Sequence, residues 1–159
     1  MKFQADREVL SDAVSFLVRL LSPRPQLPQL SGVMIEASGN EVQLSIFDYE
    51  VAARVKIAAA IDTPGKVLVQ ARLLAEILSK LPASSVAIQL DDTRLQVNSG
   101  SSKFSLSSMS TTDYPDTPEF PETTGKVSAS EFTNGVAKVA VAASREEVTP
   151  VLTAVMITA

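Results

Sequence analysis

The side chains that carry most enzyme chemistry are missing from this chain: among its 159 residues there is no His, no Cys and no Trp. A Ser-His-Asp or Cys-His nucleophile pair is therefore excluded, as are thiolate sites and His-ligated zinc or haem. Carboxylate, Lys, Tyr and Ser remain. Three carboxylate pairs have a spacing that a metal-dependent nuclease could use: Asp48 with Glu50, Asp91 with Asp92, and Glu146 with Glu147. Each has a plainer reading, because the first flanks a strand junction, the second sits in a hairpin turn and the third follows a helix, and turn chemistry selects acidic residues at such places. The loop from Ser99 to Ser102 is Gly-poor and opens a strand, so it is not a phosphate loop. No metal and no cofactor is implied.

The net charge of −4 comes from 14 Lys and Arg against 18 Asp and Glu, without any block of five like charges. This argues against a basic nucleic-acid arm and against a disordered acidic tail. The length suits one domain, or one domain with part of another, and 45% hydrophobic residues are enough for a core. The start, Met1-Lys2-Phe3-Gln4-Ala5-Asp6, lacks the apolar stretch of a signal peptide, and no apolar run reaches the ~18 residues of a membrane span. With the absence of Cys, which fits a reducing compartment, the expectation is a soluble cytoplasmic protein.

The elements that must hold any site are legible from periodicity. A strand from Lys2 to Ala5 leads into a helix from Asp6, its N-cap, to Leu21. At ~100° per residue, Leu10, Ala13, Val14, Leu17 and Leu21 share one side of it, while Arg7, Ser11, Asp12, Ser15 and Arg19 share the other. The Pro-rich stretch Ser22 to Pro28 can be neither helix interior nor central strand. Strand-like runs follow at Gly32–Ala37, Glu41–Phe47 and Val51–Ile61, with Ser38-Gly39-Asn40 as a hairpin signal. The pattern then restarts: a strand at Lys66–Val69, a helix at Ala71–Leu81, and strands at Val86–Leu90, Leu95–Asn98 and Lys103–Leu106. Gln4-Ala5 before the first helix matches Gln70-Ala71 before the second, an offset of 66 residues.

A longer repeat overlies this one. Pro150-Val-Leu-Thr-Ala-Val-Met-Ile157 repeats Pro28-Gln-Leu-Ser-Gly-Val-Met-Ile35 at an offset of 122. The expected organisation is a complete first domain over 1–110, a Pro- and Thr-rich linker over 111–124, and the start of a similar second domain over 125–159. That start would hold a strand at Lys126–Ser128, a helix at Ala129–Ala143 with Phe132, Val136, Val139 and Ala143 on one face, and part of the next strand. On this reading the sequence belongs to a longer protein.

Arg24-Pro25-Gln26-Leu27-Pro28-Gln29-Leu30, Phe47-Asp48-Tyr49-Glu50, Gln70-Ala71-Arg72-Leu73-Leu74, Lys103-Phe104-Ser105-Leu106 and Asp113-Tyr114-Pro115 resemble, in order and spacing, the bacterial sliding clamp, the beta subunit of DNA polymerase III, in its actinobacterial form. The resemblance implies an α+β clamp fold of repeated domains, each with two helices packed on antiparallel sheets. It also implies a homodimeric ring around duplex DNA that is not itself catalytic. Such a ring tethers the replicative polymerase, and binds it, the clamp loader and repair proteins through short peptides.

A negative protein that encircles DNA is not a contradiction, because a closed ring is retained by topology and needs only a few inward cations. The resemblance places these on helices and adjoining loops: Arg7, Arg19 and Arg24, then Arg72 and Lys80, then Lys138 and Arg145. Taken singly, each also reads as an ordinary solvated residue. Arg24, held between Pro23 and Pro25, falls on the family's DNA-contacting arginine; the matching place in the second copy is near Arg145-Glu146, where Glu146 departs from the pattern. The second helix has a wide apolar arc, with Leu73, Ile77 and Leu81 beyond what one sheet needs. With Lys103 they are the implied subunit interface, against a plain reading as deeper core. Leu152 is the implied member of the partner-peptide groove. The rival reading is a protein-interaction scaffold of repeated α+β domains that never meets DNA.

Overall fold

The computed structural model describes residues 1–82, 84–112, 114–122, 125–146 and 148–158. The chain divides into two compact units, Met1–Pro118 and Glu119–Ala159.

In the first unit, β1 (Lys2–Asp6) runs into α1 (Arg7–Leu20). Asp6 is the N-cap: its Oδ1 accepts the backbone N–H groups of Glu8 and Val9 at 2.8 and 3.1 Å. Two of the donors that a helix start leaves without partners are thereby satisfied. A short 3-10 turn at Pro28–Ser31 precedes β2 (Gly32–Ser38) and β3 (Glu41–Phe47). The two-residue turn between these strands needs a left-handed residue and has it in Gly39, φ +63°. Then come β4 (Ala52–Ala58), β5 (Ala60–Thr63), β6 (Gly65–Gln70), α2 (Ala71–Lys80), β7 (Ser85–Asp91), β8 (Arg94–Ser99) and β9 (Ser102–Ser107).

The half-domain repeat explains the topology. One sheet has the order β4-β3-β2-β6 and the other β5-β1-β7-β8-β9. Each half contributes a three-strand meander, and the leading strand of each half crosses to the other: β1 pairs with β7, and β6 pairs with β2, all antiparallel. The exchange leaves α1 and α2 packed on each other, with α1 on β1, β3 and β4 and α2 on β6. One core unites both halves, with Leu10, Val14, Leu17, Leu44, Leu74, Leu78, Ile88 and Leu95 among its fully buried members. The result is an α+β domain of two helices on antiparallel sheets.

Three local expectations change. The run Val51–Ile61 is not one strand: it breaks at Ala59, whose N–H bonds to Asn40 O, so that β4 and β5 join different sheets. Ser11, assigned to the polar side of α1, is 7% exposed, because a small side chain fits beside the apolar stripe where helix meets sheet. Residues 108–112 and 114, polar and Pro-flanked, stay against the first unit. Met109 N–H bonds to Leu68 O, and Tyr114 (9% exposed) closes a small cluster with Met34 and Leu68.

The second unit holds α3 (Ala129–Ala140) and a 3-10 turn at Pro150–Thr153. Lys126–Ser128 is irregular rather than a strand, since a strand persists only where a neighbour takes up its ladder bonds. No residue of α3 is buried, and Phe132, Val136 and Val139 line an open groove with Met156 and Ile157. The 122-residue repeat extends to atoms. Leu30 N–H bonds to Leu27 O as Leu152 N–H bonds to Thr149 O, and Ser31 Oγ donates to Pro28 O as Thr153 Oγ1 donates to Pro150 O.

Candidate nucleic-acid interface

The chain direction of the two helices of the first unit sorts its cations. Arg72, at the start of α2, donates through Nη2 to Leu21 O at 3.4 Å and Ser22 O at 3.5 Å, beside the end of α1. Arg7, at the start of α1, bonds through its backbone N–H to Ser84 O, just beyond α2. The helices are thus antiparallel, and the cations fall at two ends about 21 Å apart, for fourteen residues at about 1.5 Å each. Arg24, Arg72 and Arg19 share one end; Arg7 and Lys80 share the other.

The two ends differ electrostatically. At the far end Arg7 is half-buried with its Nη2 3.3 Å from Glu8 Oε1, and Lys80 is paired with Glu76 one turn earlier. That pairing holds the Glu76 carboxyl below its ordinary pKa, first through the hydrogen bond and then through the charge of Lys80. At the near end, Arg19 and Arg24 are exposed and have no ion pair among the described residues. Arg72 has a structural task as well: the last carbonyls of a helix lack partners and attract a cation, and Arg72 meets both needs. It thereby fixes the exit of α1, from which the Arg24 loop springs.

The Arg24 loop is stiffened by its prolines and by a turn in which Ser22 Oγ accepts the N–H of Arg24 at 3.3 Å. Arg24, Pro25, Gln26 and Leu30 line a cavity of about 280 Å³ with Asp48 and Tyr49. In the sequence Tyr49 stands out only as part of the Phe47-Asp48-Tyr49-Glu50 motif. Asp48 is engaged in its own turn, Oδ1 accepting the N–H groups of Glu50 at 3.2 Å and Val51 at 2.8 Å. Asp92 occupies a left-handed turn position at φ +52°. Glu147 lies outside the described residues, and among those described no three acidic residues are gathered to hold a metal ion.

In the second unit, Lys138 and Arg145 are exposed. The Ser22 turn recurs there, with Ser144 Oγ accepting the N–H of Glu146 at 3.0 Å. The atom-level match aligns Arg24 with Glu146 and Pro23 with Arg145, so the position equivalent to Arg24 carries a carboxylate. Leu152, on its 3-10 turn, is 59% exposed, while its counterpart Leu30 is buried.

The apolar arc of α2 divides. Leu81 is in the core, because the chain turns inward at the helix end, and Ile77 is largely buried. Leu73 alone of the three is open, at 42%, and it finds Phe104 of β9, at 40%, across a cleft of about 350 Å³ that Ile77 floors and Lys80 borders. Lys103, next to Phe104, is exposed. Phe104 could have been found from its place on an alternating strand.

Residues 1–118 match the family described as DNA polymerase III beta subunit, N-terminal domain. The chain belongs to this family. It is 46% identical over 157 residues to the beta sliding clamp of Micrococcus luteus, covering 99% of this chain and 51% of that protein. To the beta sliding clamp of Streptomyces coelicolor it is 44% identical, covering 99% and 42%. The chain therefore spans about half the length, or less, of these relatives. Among solved structures, the sliding clamp of Bacillus subtilis superposes with a TM-score of 0.88 at 26% identity, covering 95% of this chain and 42% of that one. The beta subunit of Pseudomonas aeruginosa gives 0.86 at 27%, covering 96% and 42%. The fold is the DNA clamp fold.

Proposed function

We propose that the chain supplies the first domain, and the start of a second from about residue 125, of a DNA sliding clamp: a non-catalytic processivity factor that encircles duplex DNA in the cytoplasm and tethers the replicative polymerase. The observation that carries this reading is the gathering of Arg24, Arg19 and Arg72 at one end of an antiparallel helix pair, without an ion-pair partner among the described residues, in a chain of the clamp family whose net charge is negative. Such an end meets phosphates and ignores base sequence, which a sliding protein requires. Arg7, Lys80 and Lys138 are secondary contacts, the first two weakened by their acidic partners. Arg145 contributes beside Glu146, whose charge opposes it.

Ring assembly is assigned to Leu73, Ile77, Phe104 and Lys103, with Leu81 supporting them from the core. β9 is the edge strand of its sheet, so its open ladder side can accept a strand from a second subunit beside the Leu73–Phe104 cleft. Exposed Leu152 is assigned to the groove that takes short apolar peptides from polymerase, clamp loader and repair proteins.

The test is the salt dependence of duplex binding by the assembled protein and its Arg24→Ala variant on two unrelated sequences. The expected result is equal weakening on both and a log–log slope reduced by about 0.9, one phosphate's worth. An unchanged slope, or weakening on one sequence alone, would remove Arg24 from the interface.

A further inference from the structure

We propose that Tyr49 is a stacking platform for an unpaired DNA base, set beside Arg24 so that one nucleotide of single-stranded DNA is held by base and phosphate together. The proposal rests on the clamp reading and extends it from duplex backbone to single strand. Its starting point is a backbone outlier. Tyr49 has φ +75°, a region that favours Gly or Asn and is costly for a bulky aromatic residue. The strain is not offset by burial, for the ring is 63% exposed.

The turn that carries this ring is held from three directions. Asp48 Oδ1 takes two of its N–H groups. Asp48 N–H bonds to Val51 O at 3.2 Å. Beneath it, Tyr114 Oη accepts the N–H of Phe47 at 2.8 Å, a donor that β2 does not reach, since the pairing of β2 with β3 stops at Met34 and Ser45. The Phe47 ring lies 5.5 Å from the Tyr49 ring at a tilt of 54°, which supports one edge of the platform. A rigid, exposed ring loses little freedom when a base covers it. Arg24, on its proline-stiffened loop, lines the same cavity as Tyr49, and Ser22 and Gln26 add polar groups to it.

Cation and aromatic face together are what sequence-tolerant single-strand recognition uses. Among the described residues, the charged groups facing the cavity are Arg24, Asp48 and Glu50. Asp48 has its Oδ1 turned to the N–H groups of its own turn but keeps its charge, so it and Glu50 both oppose a phosphate, and Arg24 and the Tyr49 face must outweigh them. A peptide carrying a basic residue would be drawn to Glu50 instead, but would leave Arg24 opposed.

The experiment titrates the protein at low salt with hexathymidylate and with an abasic hexamer of equal charge. Tyr49 and Tyr114 are the only tyrosines of this chain, and comparison with the Tyr49→Phe variant assigns the Tyr49 ring resonances and its share of the emission. Hexathymidylate is expected to shift the Tyr49 ring resonances and quench its emission, and to bind about tenfold more tightly than the abasic hexamer. Tyr49→Ala should remove that advantage and leave abasic binding unchanged, Tyr49→Phe should retain it, and Glu50→Gln should tighten both ligands. Undetectable hexathymidylate binding, an unmoved Tyr49 ring, or a Tyr49→Ala variant equal to the parent overturns the proposal. If Arg24→Ala still weakens both ligands in that last case, the phosphate contact stands and only stacking falls; if Arg24→Ala changes neither ligand, the phosphate contact falls as well.

Discussion

Replacing Tyr114 by Phe removes a single oxygen from the first unit and isolates what the segment after β9 contributes. The ring stays where it is, buried with Met34 and Leu68 and against Met109, while the N–H of Phe47 loses its acceptor. A hydrogen bond of this kind is worth about 1 kcal/mol net, and more where the orphaned donor is shut off from water. With a urea m-value of about 2 kcal/mol/M, the unfolding midpoint should fall by roughly 0.5 M at unchanged slope. Tyr114→Ala, which also empties the cluster, should cost about 3 kcal/mol. The pH dependence gives a second reading of the same atom. Burial, the largest cause, holds the Tyr114 phenol above its ordinary value of 10.0; the Phe47 bond pulls the other way and Asp48 adds to the rise. A group whose folded pKa is raised contributes stability that is complete below the unfolded value and is lost as pH climbs through the folded one. The parent should therefore lose stability above about pH 10 faster than Tyr114→Phe, and the two curves should converge there. Equal midpoints at pH 7 together with parallel curves above pH 10 would show that water replaces the phenol and that the segment is not bound through it.

Asp6→Ala should destabilise the first unit by about 1 kcal/mol by chemical denaturation, because two helix-start donors lose one acceptor. Leu17→Ala, at a fully buried position between α1 and the sheets, should cost about 2–5 kcal/mol and is the positive control for core loss. Tyr49→Asn should raise stability by up to about 1 kcal/mol, since Asn accepts the left-handed conformation; a fall would mean that the ring is needed for packing. Phe104→Asp should abolish self-association in sedimentation of the assembled protein while leaving the circular dichroism of the domain unchanged, and undiminished dimer would move the interface away from the Leu73–Phe104 cleft.

The parts of this fold that could be read from the residues are those set by local chemistry. Asp6 marks the start of α1, the Leu10-Val14-Leu17 stripe marks its buried face, and Gly39 marks the hairpin. The 122-residue repeat was visible in eight residues and proves to hold at matched hydrogen bonds. What was illegible depends on partners distant in sequence. The break at Ala59 interrupts an apolar run without Gly or Pro, and its reason is that one strand cannot serve two sheets. Tyr114 sat in a polar, Pro-rich stretch, and nothing near it in sequence announced Phe47, 67 residues away. For the site, the family resemblance nominates Arg24 and Arg72, which residue type alone does not single out, and their proximity follows from the antiparallel helices. The pairing of Lys80 with Glu76 and the burial of Leu81 are likewise properties of helix ends in their tertiary setting.

A ring of which this chain forms part is expected to stay on DNA by topology rather than by affinity. The direct test is gel filtration of the assembled protein, loaded on nicked circular duplex at physiological salt, before and after the circle is cut once. Co-elution with the circle and release on linearisation are expected, because few phosphates are held and net charge opposes binding. Equal retention on circular and linear DNA, or none on either, would contradict topological retention.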